Sequence, residues 1–218
     1  ILKGQAGLLD DLGTKVKMFK DPEQRFVFDE VAELYARVRP TYPPTLIDDV
    51  IRLARLSPGS QLLEIGSGPG NASVLFAGRG FRLLCLEPGQ HLADVARRRL
   101  AEDLNAQVVE MTFEEWPVEL AAFDLAFAAQ SFHWIDPVLR FSKTAQALKR
   151  NGTLAVFANQ AVRGTTPLDV RIQQVYTAHA PEIDARWRAH NTRDYFLEMF
   201  AASKDFQPAQ SREYEWRA

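Results

Sequence analysis

Three glycines at alternate positions, Gly66, Gly68 and Gly70, follow a short apolar run in the stretch LLEIGSGPGNAS, Leu62 to Ser73. A strand that runs straight into such a loop must turn sharply and let a ligand touch backbone, which residues without a Cβ permit at low cost. Ser67 and Pro69 fill the gaps between the glycines, and Pro69 stiffens the turn. Two carboxylates attend this loop: Glu64, two residues before the first glycine, and Glu87, at the tip of the next apolar run, RLLCLE. A carboxylate at that second tip can accept two hydrogen bonds from a ribose diol, each worth roughly 1.5 to 3 kcal/mol when one partner is charged. The dinucleotide pattern G-x-G-x-x-G wants Gly or Ala three residues after its second glycine, where this chain has Asn71. Glu64 would also repel a pyrophosphate, yet it suits a ligand with an ammonium and a sulfonium. An NAD-dependent oxidoreductase shares the sheet and Glu87 but conflicts with Glu64 and Asn71.

A second group of reactive side chains follows the fourth apolar run, in FDLAFAAQSFHWID. His133 there reads either as a structural histidine or as a base for an acceptor hydroxyl or amine, since its unperturbed pKa near 6.5 suits proton transfer. A carboxylate acceptor would need no base. His133 and Asp136 have three-residue helical spacing, but two ligands do not make a metal site, and no metal is expected. Arg37 and Arg39 read as solvated or ion-paired residues, or as a clamp for an anionic acceptor. Tyr35 lies on an apolar stripe. Cys85, inside the second run, reads as a buried and inert thiol in apolar surroundings.

The elements that must position these residues follow from periodicity. Phe28, Val31, Ala32, Tyr35 and Val38 have the spacing of one helix face, ended by Arg39-Pro40. A second helix starts at Pro44 and stops near Ser57-Pro58-Gly59. From Gln61 short apolar strands alternate with helices: LLEI, RLLCLE, QVVEM, FDLAFAA and TLAVFA, with helices at about Ala72 to Ala77, around Leu92 to Leu100, and from Pro137 to Lys149. That order predicts an α/β fold with a doubly wound, mostly parallel Rossmann-like sheet, because each parallel crossover is long and usually helical. The chain reads as one domain. Residues 1–57 give N-terminal helices, 60–160 the cofactor-binding sheet, 161–205 an inserted helical cap, and 211–216 (SREYEW) a candidate sixth strand. The cap's stripes carry Leu168, Ile172, Val175 and Tyr176, then Tyr195, Phe196, Met199 and Phe200, and its Trp187 reads as packing.

Composition sets outer limits. The 218 residues make about one large domain. With 46% hydrophobic and 25% charged residues, wholesale disorder is excluded. A net charge of −2 lacks the basic excess of a protein that grips nucleic acid or an anionic membrane. No run approaches the roughly 18 apolar residues of a membrane span. One cysteine leaves no disulfide and no zinc constellation, so a reducing, cytoplasmic setting is expected. The first residue is Ile, and the final REYEWRA stops on an alternating pattern, which reads as a trimmed chain.

The chain resembles class I S-adenosylmethionine-dependent methyltransferases, of the branch called methyltransferase domain type 11 and similar to trans-aconitate methyltransferase. The resemblance runs from about Phe28 to Ala158. It rests on YARVRPTYP, LLEIGSGPGNAS, LCLEPGQHLA, FEEWP with FDLAFAAQSFHWID, and LKRNGTLAVFAN, in that order. It implies that Gly66, Gly68 and Gly70 approach S-adenosylmethionine, that Glu64 lies near its methionine end, and that Glu87 holds the ribose with Pro88 following. Thr112 and Phe113 would flank the adenine, although the family's acidic residue is absent there. Gln130 and Ser131 would line the cofactor and face the acceptor, followed by His133 and Trp134. Tyr35 and Arg39 would close from the side. The implied activity is transfer of a methyl group to an oxygen or nitrogen of a small-molecule acceptor, leaving S-adenosylhomocysteine. The alternative is a noncatalytic cofactor-binding or partner-binding protein. The family's sheet has seven strands, so the last strands are expected to be missing from this chain.

Overall fold

The computed structural model describes residues 28–159, 166–181 and 193–215. It divides into two compact units, one through Phe157 and one spanning Ala158–Arg217, where the sequence reads as a single domain. The first unit opens with a 3-10 turn, Asp29–Val31, and α1, Ala32–Val38. The single helix expected from Phe28 is broken at Val31, whose φ of −120° and ψ of 28° leave the helical region. α2, Pro44–Leu53, has proline in its first turn and buries Ile47. The sheet then comprises β1 (Gln61–Ile65), β2 (Arg82–Glu87), β3 (Ala106–Glu110), β4 (Phe123–Ala129) and β5 (Leu148–Phe157). The connecting helices are α3 (Ser73–Phe76), α4 (Gln90–Arg99) and α5 (Arg140–Ala147), with a 3-10 turn at Phe132–Trp134.

All four strand pairings are parallel, in the order β3-β2-β1-β4-β5. The chain starts in the middle, steps outward to β3, then crosses to the other side of β1 at β4. Strand order reverses between β1 and β4, and open α/β sheets take their ligands in the crevice outside the strands' carboxyl ends at such a reversal. β1 and β4 are central, so Leu62, Leu63, Ile65 and Leu125 to Ala128 are all buried. Side chains alternate across a strand. Leu62 and Glu64 therefore share a face with their register partners Leu83 and Cys85 and with Leu125 and Phe127. That face carries the main core, with Ile47, Phe76 and Phe81. Phe76 and Phe127 lie 4.6 Å apart between ring centroids, and burying such a ring stabilises by about 1.5 to 3 kcal/mol. α4 packs on β2 and β3, and α1 lies on α4 through Ala32, Leu92 and Val95.

The helix expected from Pro137 to Lys149 is shorter, and β5 begins at once at Leu148, with an irregular register opposite Phe123/Leu125 and a left-handed Asn151 (φ 67°). In the second unit, α6 (Pro167–His179) starts with a capping box between Thr166 and Asp169, and α7 spans Arg193–Ala201. The α6 stripe of Leu168, Ile172, Val175 and Tyr176 is exposed, whereas Met199 of α7 is buried. Residues 211–215 form no strand. Alternation alone does not make a strand without a neighbour to pair with. Trp187 and Trp216 lie outside the described residues.

Candidate functional site

The glycine loop is tied down on both flanks. The N–H groups of Gly66 and Ser67 both donate to the Leu86 carbonyl, at 2.9 and 3.0 Å, and Gly70 N–H closes the turn on Ser67 O at 3.0 Å. Gly66, Gly68 and Gly70 have φ of +69°, +55° and +82°, a region that L side chains enter at a cost of roughly 1 to 2 kcal/mol. A Cβ on Gly66 would also come within 2.7 Å of the Ser131 Cβ. That close approach joins the loop after β1 to the turn after β4, across the crevice. Among the described residues a Cβ on Gly68 would meet nothing within 4 Å, so that side of the loop stands open to an approaching group. From below, Arg99 of α4 donates to Pro69 O (2.9 Å) and to Asn71 Oδ1 (2.6 Å).

Glu87 holds the loop from the other side. Its Oε2 accepts Gly68 N–H at 2.7 Å and its Oε1 accepts Gly89 N–H at 2.9 Å, so one carboxylate links the glycine loop to the turn at Pro88. The side chain is buried.

Glu64 is placed differently. It is fully buried on the core face, where its Oε2 accepts the Ser73 hydroxyl and lies 3.7 Å from Cys85 Sγ. Among the described residues its Oε1 has no hydrogen-bond partner. Loss of water around the carboxyl raises its pKa to about 8, against smaller opposing effects of the Ser73 and Cys85 bonds. At neutral pH the group is therefore mostly a neutral acid that braces β1 against the start of α3. Glu64 thus lies one strand position from the glycine loop with its carboxyl in the core, beside the expected methionine end of the cofactor site. Cys85 is buried as expected, but beside Glu64 and Ser73 rather than in purely apolar surroundings, and burial pushes its pKa up.

The remaining residues divide. Gln130, at the end of β4, has a left-handed φ of 66° and donates its N–H to Phe157 O at 3.0 Å. That strain sits at the crevice, where sparsely populated backbone tends to mark a site. Ser131 hydroxyl bonds Ile65 O, a second tie across the crevice. His133 and Trp134 follow with ring centroids 4.9 Å apart. His133 is exposed as a whole residue. Crowding of its ring and then the charge of Arg140 push its pKa down, to about 4. The imidazole is therefore neutral at pH 7. Thr112 caps its own turn, its Oγ1 accepting Glu115 N–H at 3.1 Å and bonding Glu115 Oε2 at 2.7 Å. Phe113 turns inward onto Trp116, 6.1 Å away, and is buried. Phe113 therefore packs the core, contrary to its expected place against an adenine. Tyr35 and Arg39 are joined, the guanidinium 5.4 Å from the ring centre, on α1. Arg37 is exposed.

Sequence reasoning missed Gly89, Arg99 and Asp29. Asp29 Oδ1 accepts Leu92 N–H at 2.8 Å, and its Oδ2 lies 2.8 Å from His91 Nδ1. No sequence spacing signals a contact across 63 residues. Among the described residues no group of three or more His, Cys, Asp or Glu could hold a metal ion, and no helix is long and apolar enough to cross a membrane.

Comparison with known proteins gives this geometry a context. Residues 63–156 match the family described as a methyltransferase domain. An uncharacterized methyltransferase of Mycobacterium tuberculosis is 29% identical over 132 residues, 61% of this chain and 51% of that protein. A trans-aconitate 2-methyltransferase of Afipia carboxidovorans is 30% identical over 131 residues, 59% of this chain and 49% of its own length. The chain thus spans about half the length of the curated relatives it matches. The crystal structure of a putative S-adenosyl-L-methionine-dependent methyltransferase from Methanococcus maripaludis superposes with a TM-score of 0.56 at 20% identity, covering 83% of each chain.

Proposed function

We propose, from the match of residues 63–156 to the methyltransferase domain family, that this chain is a class I S-adenosylmethionine-dependent methyltransferase that binds S-adenosylmethionine at the carboxyl ends of β1 and β4 and methylates a small-molecule acceptor. The observation that carries this reading is the Glu87 carboxylate bridging Gly68 N–H and Gly89 N–H beside a loop whose Gly68 backbone stands open. The residues present fit the group. The loop offers backbone at close range, Glu87 at the tip of β2 is our candidate for the ribose hydroxyls, and Gln130 and Ser131 follow β4 on the opposite side.

Bound there, the cofactor would supply a methyl group activated on a sulfonium, open to in-line attack by an acceptor oxygen or nitrogen with S-adenosylhomocysteine as the leaving group. The chain's work is positioning. Glu87 and the glycine loop fix one reactant, and the turn at Ser131 to Trp134 orients the other, an arrangement that can lower a barrier by roughly 7 to 11 kcal/mol. His133, neutral at pH 7, is the group able to take a proton from an acceptor hydroxyl or amine, and Arg39 is the candidate clamp for an anionic one, with Tyr35 beside it.

The test is thermal unfolding with S-adenosylhomocysteine, S-adenosylmethionine and NAD in parallel. A ligand at a hundred times its dissociation constant adds about 2.7 kcal/mol of stability. A shift with the two adenosyl-sulfur ligands alone is expected; a shift with NAD instead would overturn the assignment.

A further inference from the structure

α4 begins at Gly89, which has no side chain with which to cap the helix. The cap comes from far away in sequence. A residue at the N-cap usually accepts the N–H two or three positions later with its own oxygen. Here Asp29 Oδ1 accepts the N–H of Leu92, the third helical residue, at 2.8 Å. A carboxylate there also complements the positive end of the helix. The fit leaves no room for anything else: a Cβ on Gly89 would stand 2.6 Å from Asp29 Oδ1 and 3.2 Å from Glu87 Oε1. Gly89 is thus held between two carboxylates, Asp29 on one side and Glu87, which accepts its N–H, on the other.

We propose that Asp29 is a positioning residue for the ribose end of the cofactor site: by capping α4 across space it fixes Gly89, and through Gly89 the carboxylate of Glu87. This rests on the methyltransferase reading. The 3-10 turn before α1 becomes part of the site without touching the ligand, because its Asp29 side chain sets the Glu87-Pro88-Gly89 turn. The other tie between α1 and α4, Glu33 to Arg98, lies further along the helix and has no part in that turn.

The experiment is calorimetric titration of the full chain and its variants with S-adenosylhomocysteine and with adenosine, alongside amide exchange in the free protein. Asp29→Ala is expected to weaken both ligands by the same factor, about five- to tenfold, the scale of one lost cap. Exchange at Gly68, Gly89 and Leu92 should quicken together. Asp29→Asn keeps an oxygen for Leu92 N–H and should bind within about twofold of the parent, since a neutral Asn caps as well as Asp. Glu33→Gln should bind as the parent does. Should Asp29→Ala not fold, Gly89→Ala displaces the same carboxylate from within and is expected to show the same loss. Parent affinity in Asp29→Ala or in Gly89→Ala, or an equal loss in Glu33→Gln, overturns the role of Asp29 alone. A parent chain that binds neither ligand overturns the methyltransferase reading and this role with it.

Discussion

The loop after β1 and the turn after β4 meet where Gly66 faces Ser131, yet they are held by different means. The glycine loop is fixed by backbone: its amides bond Leu86 O and Glu87, and its carbonyl at Pro69 bonds Arg99. The turn after β4 offers side chains instead, with Ser131 hydroxyl reaching back to Ile65 O and His133 lying against Trp134. A ligand recognised by the first region meets peptide groups that few substitutions alter. A ligand recognised by the second meets residues that any substitution alters. This is the arrangement expected when one reactant is fixed and the other varies.

The comparison breaks most completely at Gly66. Gly66→Val adds a β-branched residue at φ +69° and drives its Cβ into Ser131, at 2.7 Å. Loss of S-adenosylhomocysteine binding by calorimetry is expected, and retained affinity would show that the two regions are not in contact. Next comes Glu87→Ala, which removes two charge-assisted bonds, each worth about 1.5 to 3 kcal/mol. It should weaken the ligand by roughly 100-fold or more. An unchanged dissociation constant would mean that the loop holds its shape without Glu87.

Glu64 sharpens the contrast between the carboxyls of β1 and β2. Its folded pKa of about 8 lies above the ordinary carboxyl value, so the folded chain keeps a proton that the unfolded chain releases. Its contribution to stability is full below the unfolded pKa and is lost as pH rises from about 4.5 to 8, at up to roughly 1.4 kcal/mol per pH unit. Glu64→Gln is neutral throughout and should flatten that part of the profile, leaving the variant more stable than the parent at pH 8. Urea midpoints measured across this range test it, and parallel profiles would place the ionised carboxylate in the native state at neutral pH.

The sheet was legible because each of its five strands is a short apolar run, and the parallel order follows from the helices between them. The sharp glycine turn and the place of Glu87 at the tip of β2 were legible as well, since glycine spacing and strand ends show in the sequence. Side-chain direction was not. Phe113 looked available to a ligand, but Trp116, three residues on, stacks with it in the core. Glu64 looked like part of the loop, but period-two alternation sends it to the face of Leu62, Cys85 and Phe127. Asp29 gave no signal, because its partner Leu92 is adjacent only after α1 has folded onto α4. REYEW had the alternation of a strand, and 211–215 found no pairing.

The smallest effect is expected in the side-chain region, at His133. General bases usually contribute about 10²–10⁴-fold, and their efficiency falls as their pKa drops below the working pH. A ring pushed down toward a pKa of about 4 is a weak base at pH 7. His133→Ala should therefore slow turnover at saturating cofactor by only about tenfold and leave the affinity for S-adenosylhomocysteine unchanged. The pH profile separates this from mere loss of packing. The parent's rate should rise through the histidine pKa, below the ordinary 6.5, and then level off, while the variant's rate should lack that rise. Weakened cofactor binding in the variant would instead tie His133 to the backbone-built region and erase the division between the two halves of the crevice.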